Sequence, residues 1–241
     1  MSKKSKVQAI ILAGGKGSRL RPYTTILPKP LVPVGGMPII EVIIRQLKFF
    51  GINNIVIAVG YLAELIETYL GNGKRWGVAI SYVKEEKPLG TAGAIKLVKN
   101  LSDNFIVING DTLTDMSFRG FIDFHKKSHA IATIGIKERV LKTDFGVIES
   151  KKDGSFINYI EKPDHRSDVS LGINVFNKEV QVFIKKNEAM NMPELFLKMR
   201  TLGKKIVCFR TNKIWLDLGR LEDLELAQGI FEKNKKKFLK G

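Results

Sequence analysis

Short apolar runs alternate with amphipathic segments along the first half of the chain. The β-branched apolar runs are typical of strands buried on both faces and occur at 7–13, 53–60, 78–83 and 104–111. Between them, apolar residues recur with a helical period, which predicts helices at 38–51, 61–71 and 91–101. This alternation predicts right-handed βαβ units and a mostly parallel sheet.

The pattern changes after about residue 130. Strands are predicted at 130–138, 145–150, 155–163, 172–177, 205–210 and 213–216, and helices at 178–186, 192–203 and from about Leu221. We expect this half to complete the sheet and to add antiparallel strands that cover a ligand pocket. No repeat, low-complexity block or flexible linker separates the halves. The chain, 1–241, is therefore predicted to be one α/β domain, a Rossmann-like three-layer sandwich with lobes at about 1–125 and about 126–241.

A glycine-rich segment follows the first predicted strand. It reads LAGGKGSRLRPYTTILPKPLVP over residues 12–33, and it adds the cationic residues Arg19, Arg21 and Lys29 to its glycines. Glycines let backbone N–H groups approach an anion, and cationic side chains neutralise its charge. The spacing excludes both the P-loop and the dinucleotide-binding fingerprint. The segment is therefore predicted to bind the phosphates of a nucleoside triphosphate.

Two aspartates follow short apolar runs at distant points of the chain. Asp111 ends the sequence IVINGD, and Asp217 stands in WLDLG. Either residue alone is explained by an ordinary turn or helix cap. Mg²⁺ commonly takes one or two carboxylates together with phosphate oxygens, so the pair beside a phosphate loop favours a magnesium site.

Two further segments allow more than one interpretation. Glu161-Lys162-Pro163 is a common surface turn, although its lysine is also suited to a single phosphate group. The segment 88–93, PLGTAG, is explained by a capped helix start with Thr91 as the cap, and it can also lie against a base. Spacing alone favours the simpler interpretation in both cases.

The glycine-rich segment resembles the pattern G-G-x-G-S-R-L-x-P-x-T-x-x-x-P-K-P-L of the sugar-1-phosphate nucleotidylyltransferases, closest to the mannose- and heptose-1-phosphate guanylyltransferase branch. The resemblance covers nearly the whole chain. It implies transfer of a nucleoside monophosphate from an NTP to a sugar 1-phosphate with release of pyrophosphate, with GTP as the preferred donor and Mg²⁺ as the cofactor. No hexapeptide repeat follows residue 210, so acyltransferase activity is not expected.

The resemblance also implies a role for each matching residue. The implied catalytic residues are Arg19, Lys29 and Lys162. The implied nucleotide-binding residues are Leu12, Gly14, Gly15, Gly17, Ser18, Arg19, Glu85, Pro88, Gly90 and Thr91. The implied substrate-binding residues are Gly110, Glu161, Lys162, Ser170 and Gly172. The implied metal ligands are Asp111 and Asp217.

One departure from the family pattern leaves the identity of the acceptor substrate undecided. Ser170 stands where most members carry asparagine, so the usual contact with a sugar hydroxyl is in doubt. Alternatives are glucose 1-phosphate with CTP, UTP or dTTP, or a phosphorylated alcohol such as phosphocholine. A non-catalytic, nucleotide-binding regulatory subunit is a further alternative. Against it, the implied catalytic and metal-binding residues are all present.

Charge and composition exclude several other functions. The net charge of +16 favours polyanions, but the densest basic run, at 233–237, is typical of a solvated last helical turn or a frayed tail. The sequence carries no nucleic-acid-binding motif, so no dedicated nucleic-acid partner is expected. His125 and His129 lack the further ligands of a zinc site and are predicted to lie on a solvated helix face.

Cysteine content and hydropathy point to the cytoplasm. Cys208 is the only cysteine, so no internal disulfide can form, and the longest apolar stretches are far shorter than a membrane span. The first apolar run ends in glycines rather than at a signal-peptide cleavage site. We therefore expect a cytoplasmic enzyme without a membrane partner, and a homodimer is possible.

Overall fold

A computed structural model describes residues 7–239. These residues form the strands β1 (Gln8–Ala13), β2 (Pro33–Val34), β3 (Met37–Pro38), β4 (Asn54–Val59), β5 (Ala79–Lys84), β6 (Asn104–Asn109), β7 (Thr112–Thr114), β8 (Ala132–Lys142), β9 (Val147–Ser150), β10 (Phe156–Ile160), β11 (Asp164–Asn177), β12 (Ile206–Arg210) and β13 (Trp215–Asp217). They also form the α-helices α1 (Ile39–Phe49), α2 (Ala63–Leu70), α3 (Gly90–Gly93), α4 (Phe118–Ser128), α5 (Met192–Thr201) and α6 (Leu221–Phe238).

Seven strands form the central sheet in the order β12-β8-β11-β6-β1-β4-β5. The strands β6, β1, β4 and β5 are parallel to one another. Strand β11 runs antiparallel to both β6 and β8, and β12 is parallel to β8. The predicted mostly parallel sheet is therefore confirmed, with β11 as the reversed strand.

Helices cover both faces of this sheet. Successive side chains of β1 point to opposite faces, so Ile11 belongs to a core that includes residues of α1, α2, α4 and α6, whereas Ile10 belongs to a second core on the side of α3 and α5. Both isoleucines are completely buried. A strand buried on both faces requires the continuous apolar run that the sequence shows, and the result is the predicted three-layer arrangement.

Two predicted helices are shorter and tighter than expected. The helix predicted at 91–101 is the single turn α3 followed by a 3-10 helix that ends at Leu97, and the one predicted at 178–186 is a 3-10 helix, Lys178–Phe183. In the first, the N–H groups of Ala92 and Gly93 both donate to the carbonyl oxygen of Met190. This contact with a distant segment takes precedence over the local helical period.

The expectation that His125 lies on a solvated helix face is wrong. The side chain is 1% exposed, its Nδ1 lies 2.7 Å from Thr133 Oγ1, and its Nε2 lies 3.1 Å from Asn104 Oδ1. Burial lowers the pKa of His125 to about 4. His129, which ends α4, is exposed as predicted.

Strands β8 and β11 continue beyond the central sheet as a two-stranded ribbon. Residues 137–142 pair with 164–169, and the register shifts between Ser170 and Asn174. The ribbon leads into a separate antiparallel hairpin formed by β9 and β10. The predicted antiparallel strands of the second half are thus present.

The helix α6 closes the described part of the chain and returns to its first half. Phe231 is completely buried in the same core as β1, while the lysines of the run 233–237 are exposed, as predicted. None of the helices between residues 7 and 239 has the length and apolar character that crossing a membrane requires.

Candidate active site

A cavity of about 370 Å³ opens at the carboxyl ends of two buried parallel strands. Leu12 and Ala13 at the end of β1 line it, as does Asn109 at the end of β6. In open α/β sheets the carboxyl ends of the strands are the usual position for ligands, because loops diverge there and leave a crevice. The cavity therefore lies where this fold ordinarily binds a substrate.

The glycine-rich loop after β1 forms one wall of the cavity. Gly17 has a φ of +60°, which only glycine adopts without strain, and its carbonyl oxygen accepts a hydrogen bond of 2.8 Å from Thr24 Oγ1. A Cβ on Gly14 would lie 2.9 Å from Glu85 Oε1. Glycine at these positions thus shapes the turn and makes room for a carboxylate.

Lys29 and two aspartates form an ionic cluster at the cavity. Lys29 Nζ donates to Asp111 Oδ2 and lies 3.9 Å from Asp217 Oδ1. The side chain of Lys29 is largely buried, while that of Asp217 is about half exposed. Partial burial and the negative charge of Asp111 raise the pKa of Asp217, and the cations Lys29 and Arg19 oppose this shift.

A small antiparallel sheet brings the two aspartates together. Strand β13 pairs with β7 so that Asp217 stands opposite Thr112, the residue after Asp111. Leu218 N donates to Asp111 O over 3.2 Å. Backbone pairing therefore fixes a contact between positions that are more than a hundred residues apart in the sequence.

A second loop forms the opposite wall. Glu85 Oε2 accepts a hydrogen bond of 2.9 Å from Leu89 N, and burial raises the pKa of Glu85. Gly90, with a φ of +73°, lies so close to Met190 that a Cβ would be 2.6 Å from its carbonyl oxygen. Thr91 does not cap its own helix here, since its hydroxyl accepts a hydrogen bond from Met192 N.

Most of the predicted site residues line the cavity. They are Leu12, Gly14, Gly15, Gly17, Ser18, Arg19, Lys29, Glu85, Pro88, Gly90, Thr91, Gly110 and Asp111. Asp217 is outside this lining but belongs to the ionic cluster. The structure thus brings together the predicted nucleotide-binding and metal-binding residues.

Most of the predicted acceptor-binding residues do not line the cavity. Glu161, Lys162, Ser170 and Gly172 are not among the lining residues. Gly172 lies beside the cavity, because a Cβ there would be 2.4 Å from Asn109 Nδ2. Glu161 and Lys162 are exposed at the end of β10, where Glu161 Oε2 accepts a hydrogen bond of 3.0 Å from Tyr159 OH.

Five lining residues were not predicted: Ala13, Pro30, Asn109, Asn191 and Gly219. Asn109 had a signal in the sequence, because it is the polar residue that ends a buried strand just before Gly110. Gly219 lies two residues after Asp217, and a Cβ on Gly219 would lie 3.4 Å from an Arg19 guanidinium nitrogen. Asn191 had no such signal, since it only precedes α5 and lies at the cavity because Met190 contacts Gly90.

The donor set of the ionic cluster fits a hard divalent cation. Asp111 and Asp217 offer carboxylate oxygens, and their mutual repulsion would be relieved by a cation between them. Residues 7–239 contain no group of three or more metal-ligating His, Cys, Asp or Glu side chains. A metal held by these two carboxylates would therefore take its other ligands from substrate phosphates or water.

Comparison with known proteins places this geometry in a family. The model of the nucleotidyl transferase family matches residues 8–234. The chain is 33% identical to D-glycero-alpha-D-manno-heptose 1-phosphate guanylyltransferase of Aneurinibacillus thermoaerophilus, covering 92% of this chain and 97% of that protein. It is 32% identical to UTP--glucose-1-phosphate uridylyltransferase of Synechocystis, covering 90% of this chain but 61% of that longer relative.

Solved structures show the same fold. A putative glucose-1-phosphate thymidylyltransferase from Bacillus anthracis, in complex with a sucrose, matches with a TM-score of 0.75 and 27% identity, over 93% of this chain and 94% of that one. HddC from Yersinia pseudotuberculosis, complexed with GMP-PN, matches with a TM-score of 0.73 and 25% identity, over 93% and 99% of the two chains. With the family model spanning almost all described residues, the chain belongs to the nucleotidyl transferase family.

Proposed function

We propose that this chain transfers a nucleoside monophosphate from an NTP to a sugar 1-phosphate and releases pyrophosphate. The observation that carries the proposal is the convergence of the glycine-rich loop, Lys29 and Asp111 at one cavity, with Asp217 next to Lys29. Relatives that act as guanylyl- and uridylyltransferases on sugar 1-phosphates support it.

In the proposed reaction, an oxygen of the sugar phosphate attacks the α-phosphorus of the NTP, and the bond from that phosphorus to the pyrophosphate oxygen breaks. The attacking oxygen is already anionic at neutral pH, so no general base is required. The chain has to bring two polyanions together and align them. Arg19 and Lys29 would stabilise the negative charge on the phosphoryl oxygens.

We propose Mg²⁺ as the cofactor, held by Asp111 and Asp217. When bound, the ion would polarise the phosphoryl oxygens and screen their charge. Lys29, which contacts Asp111, would then be free to bind a phosphate oxygen, because the ion would take up the charge of the carboxylates. Ionised carboxylates at both positions are needed for this role.

We propose GTP and a mannose- or heptose-type 1-phosphate as the substrates. The heptose guanylyltransferase that matches over nearly its full length supports this pair. Glu85 adds a chemical argument, since an ionised carboxylate only accepts hydrogen bonds and guanine presents two neighbouring donors on one edge. A second candidate is UTP with glucose 1-phosphate, as in the Synechocystis relative.

The remaining assignments are proposals of the same kind. Lys162 and Glu161 would bind the acceptor together with Ser170, Gly172 and Gly110, which makes 126–241 the acceptor lobe and 1–125 the nucleotide lobe. Gly172 supports this because it packs on Asn109 at the cavity. A cytoplasmic location and a homodimer also remain proposals.

Pyrophosphate release with Mg²⁺ tests the function. GTP, UTP, CTP, dTTP and ATP are each combined with mannose, heptose and glucose 1-phosphates, with acceptor-free reactions as blanks. We expect release that depends on the acceptor for one pair, highest with GTP. Binding of NTP without release for any pair would contradict catalysis on these acceptors and favour the regulatory alternative. Phosphocholine is included as the non-sugar acceptor.

A further inference from the structure

A second cavity, of about 470 Å³, opens at the opposite end of β6 from the candidate active site. Asn104 at the start of β6 lines it, whereas Asn109 at the end of the same strand lines the first cavity. The length of β6 between the two asparagines corresponds to about 17 Å. The two cavities share no lining residue, so a ligand in the second cavity occupies a separate site.

Backbone pairing holds the walls of the second cavity in place. Ile131 N, just before β8, donates to Lys205 O over 3.0 Å, and Asn177 N at the end of β11 donates to Ile131 O over 2.9 Å. Lys205 Nζ donates to Ser128 O at the end of α4 over 2.7 Å. The segments around the cavity are therefore tied to one another and to the central sheet.

A buried hydrogen-bonded chain orients a side-chain amide at this cavity. His125 borders the cavity and is neutral, so one ring nitrogen donates and the other accepts. Its Nε2 lies 3.1 Å from Asn104 Oδ1, an atom that can only accept, so Nε2 donates and Nδ1 accepts from the Thr133 hydroxyl. Asn104 Nδ2 donates to no other residue between 7 and 239. Asn104 therefore offers N–H donors to a ligand.

The charged groups around the cavity are mostly cationic. Lys126, Lys204 and Lys205 line it, and the only carboxylate in the lining is that of Glu179. Within the described part of the chain, neither Lys126 nor Lys204 forms an ion pair. Lys205 is bound to a carbonyl oxygen and keeps its full charge. The second cavity therefore has a positive potential that attracts anions.

We propose that the second cavity binds a phosphate-bearing small molecule. Its cations and amide donors come from α4, β6 and the turn before β12, so they reach a ligand from several directions. A phosphate or diphosphate group carries several negative charges and acceptor oxygens that point in different directions, and lysines bind it as point charges. A single carboxylate has one charge and two oxygens in one plane. The proposal goes beyond the proposed function and does not depend on it, because none of these residues lines the first cavity.

Backbone amide NMR of the ¹⁵N-labelled whole chain, titrated with inorganic pyrophosphate in the absence of divalent metal, tests the proposal. The amides of 126–131 and 204–206 report on the second cavity, and those of 14–19 report separately on the first. We expect saturable shifts in the first group, with a dissociation constant on the order of 1 mM or below. Binding should weaken as NaCl is raised, because salt screens the attraction.

Two double variants separate the cavity from the overall charge of the chain. Lys126→Gln with Lys204→Gln should weaken pyrophosphate binding at 126–131 and 204–206 by about tenfold or more. The matched control, Lys127→Gln with Lys186→Gln, removes the same charge from exposed lysines outside the lining and should leave the dissociation constant unchanged.

A third variant tests the amide. Asn104→Asp keeps an oxygen that accepts from His125 Nε2 but replaces the N–H donors with a second, negatively charged oxygen. We expect it to weaken pyrophosphate binding by about tenfold or more.

Comparison of ligands tests the chemical class. Citrate carries a similar negative charge on carboxylates and should bind more weakly than pyrophosphate. ATP and pyrophosphate distinguish the two sources of phosphate: tighter binding of ATP favours a phosphorylated metabolite, and tighter binding of pyrophosphate favours an inorganic oligophosphate. Both results support the proposal.

Three results would overturn the proposal. The first is the absence of saturable shifts at 126–131 and 204–206. The second is binding that Asn104→Asp or the Lys126 and Lys204 double variant leaves unchanged, or that the control double variant weakens equally, since the attraction would then be unspecific. The third is citrate binding as tightly as pyrophosphate, which would reject a phosphate site. Circular dichroism of each variant checks that it folds.

Discussion

The glycine-rich loop and the β9–β10 hairpin both carry predicted site residues, and they are built in opposite ways. The loop follows β1, whose neighbours β4 and β6 are buried, and its residues line the cavity. The hairpin contributes nothing to either core, and its Glu161 and Lys162 stand away from the cavity lining. Where buried strands hold a loop, the residues of a sequence motif are placed at the site by the fold itself. Residues of a motif on an unsupported hairpin are placed at a site only with the help of a partner or a ligand.

The largest expected effect comes from the ionic cluster. Asp111→Asn keeps the shape of the side chain but removes its charge, so the cation and Lys29 lose a ligand at the site of transfer. Rates of pyrophosphate release should fall on the order of 10³-fold. The matched control is Asp103→Asn at the other end of β6, an exposed residue paired with Lys178, which should leave the rate unchanged. Equal rates for both variants would remove Asp111 from the site.

A matched pair of isoleucines measures the difference in packing between the two regions. Ile11 is completely buried in β1, and Ile148 is exposed in β9. Ile11→Ala should lower the free energy of unfolding by about 2–5 kcal/mol, because it leaves a cavity in the core. Ile148→Ala should change it by less than about 0.5 kcal/mol. Urea denaturation at 1 µM provides both values, and similar losses in the two variants would show that the hairpin is packed after all.

Two cationic residues test whether the loop acts on the transferred phosphoryl group and the hairpin binds the acceptor. Arg19→Ala should lower kcat on the order of 10²-fold with little change in the KM for acceptor, because its charge is needed on the transferring phosphoryl group. Lys162→Ala should mainly raise the KM for the sugar 1-phosphate. Arg21→Ala and Lys152→Ala, exposed neighbours in the same two segments, are the controls. Unchanged kinetics for both Arg19→Ala and Lys162→Ala would reject the assignment of both residues.

A pH dependence of the free energy of unfolding is expected from His125, which lies in the region supported by the central sheet. His125 is buried and its folded-state pKa is about 4, below its usual value of 6.5, so the unfolded chain binds more protons between these values. The contribution of neutral His125 to the free energy of unfolding is complete above pH 6.5 and falls by about 3 kcal/mol as the pH drops towards 4. Denaturant titrations from pH 7 to 4 should show that the free energy of unfolding falls less steeply with pH in His125→Asn than in the unmodified chain. The same pH dependence in both proteins would mean that His125 is not held neutral.

The sequence predicts the parts of the molecule that rest on local patterns. The apolar runs identify β1, β4, β5 and β6, and the residues at their ends, such as Asp111, then fall at the cavity because parallel strands end at one edge. The glycine-rich motif likewise predicts a loop that turns through Gly17.

Long-range contacts account for what the sequence does not predict. The bond from Ala92 N to Met190 O shortens α3, and the fit of Gly90 against Met190 brings Asn191 to the cavity. The helical pattern around His125 gives no sign that its two ring nitrogens form hydrogen bonds with Thr133 and Asn104. Each of these positions is decided by residues outside its own helix or turn, which a local period cannot reveal.

The central claim is that an NMP group passes from an NTP to a sugar 1-phosphate at the cavity beside Asp111. Incubation with Mg²⁺, a sugar 1-phosphate and an NTP labelled at its α-phosphate tests it most directly. The label should appear in a nucleoside diphosphate sugar, with one unlabelled pyrophosphate released for each molecule formed. Label that remains in the NTP, or that leaves as free NMP whether or not the acceptor is present, would contradict the account.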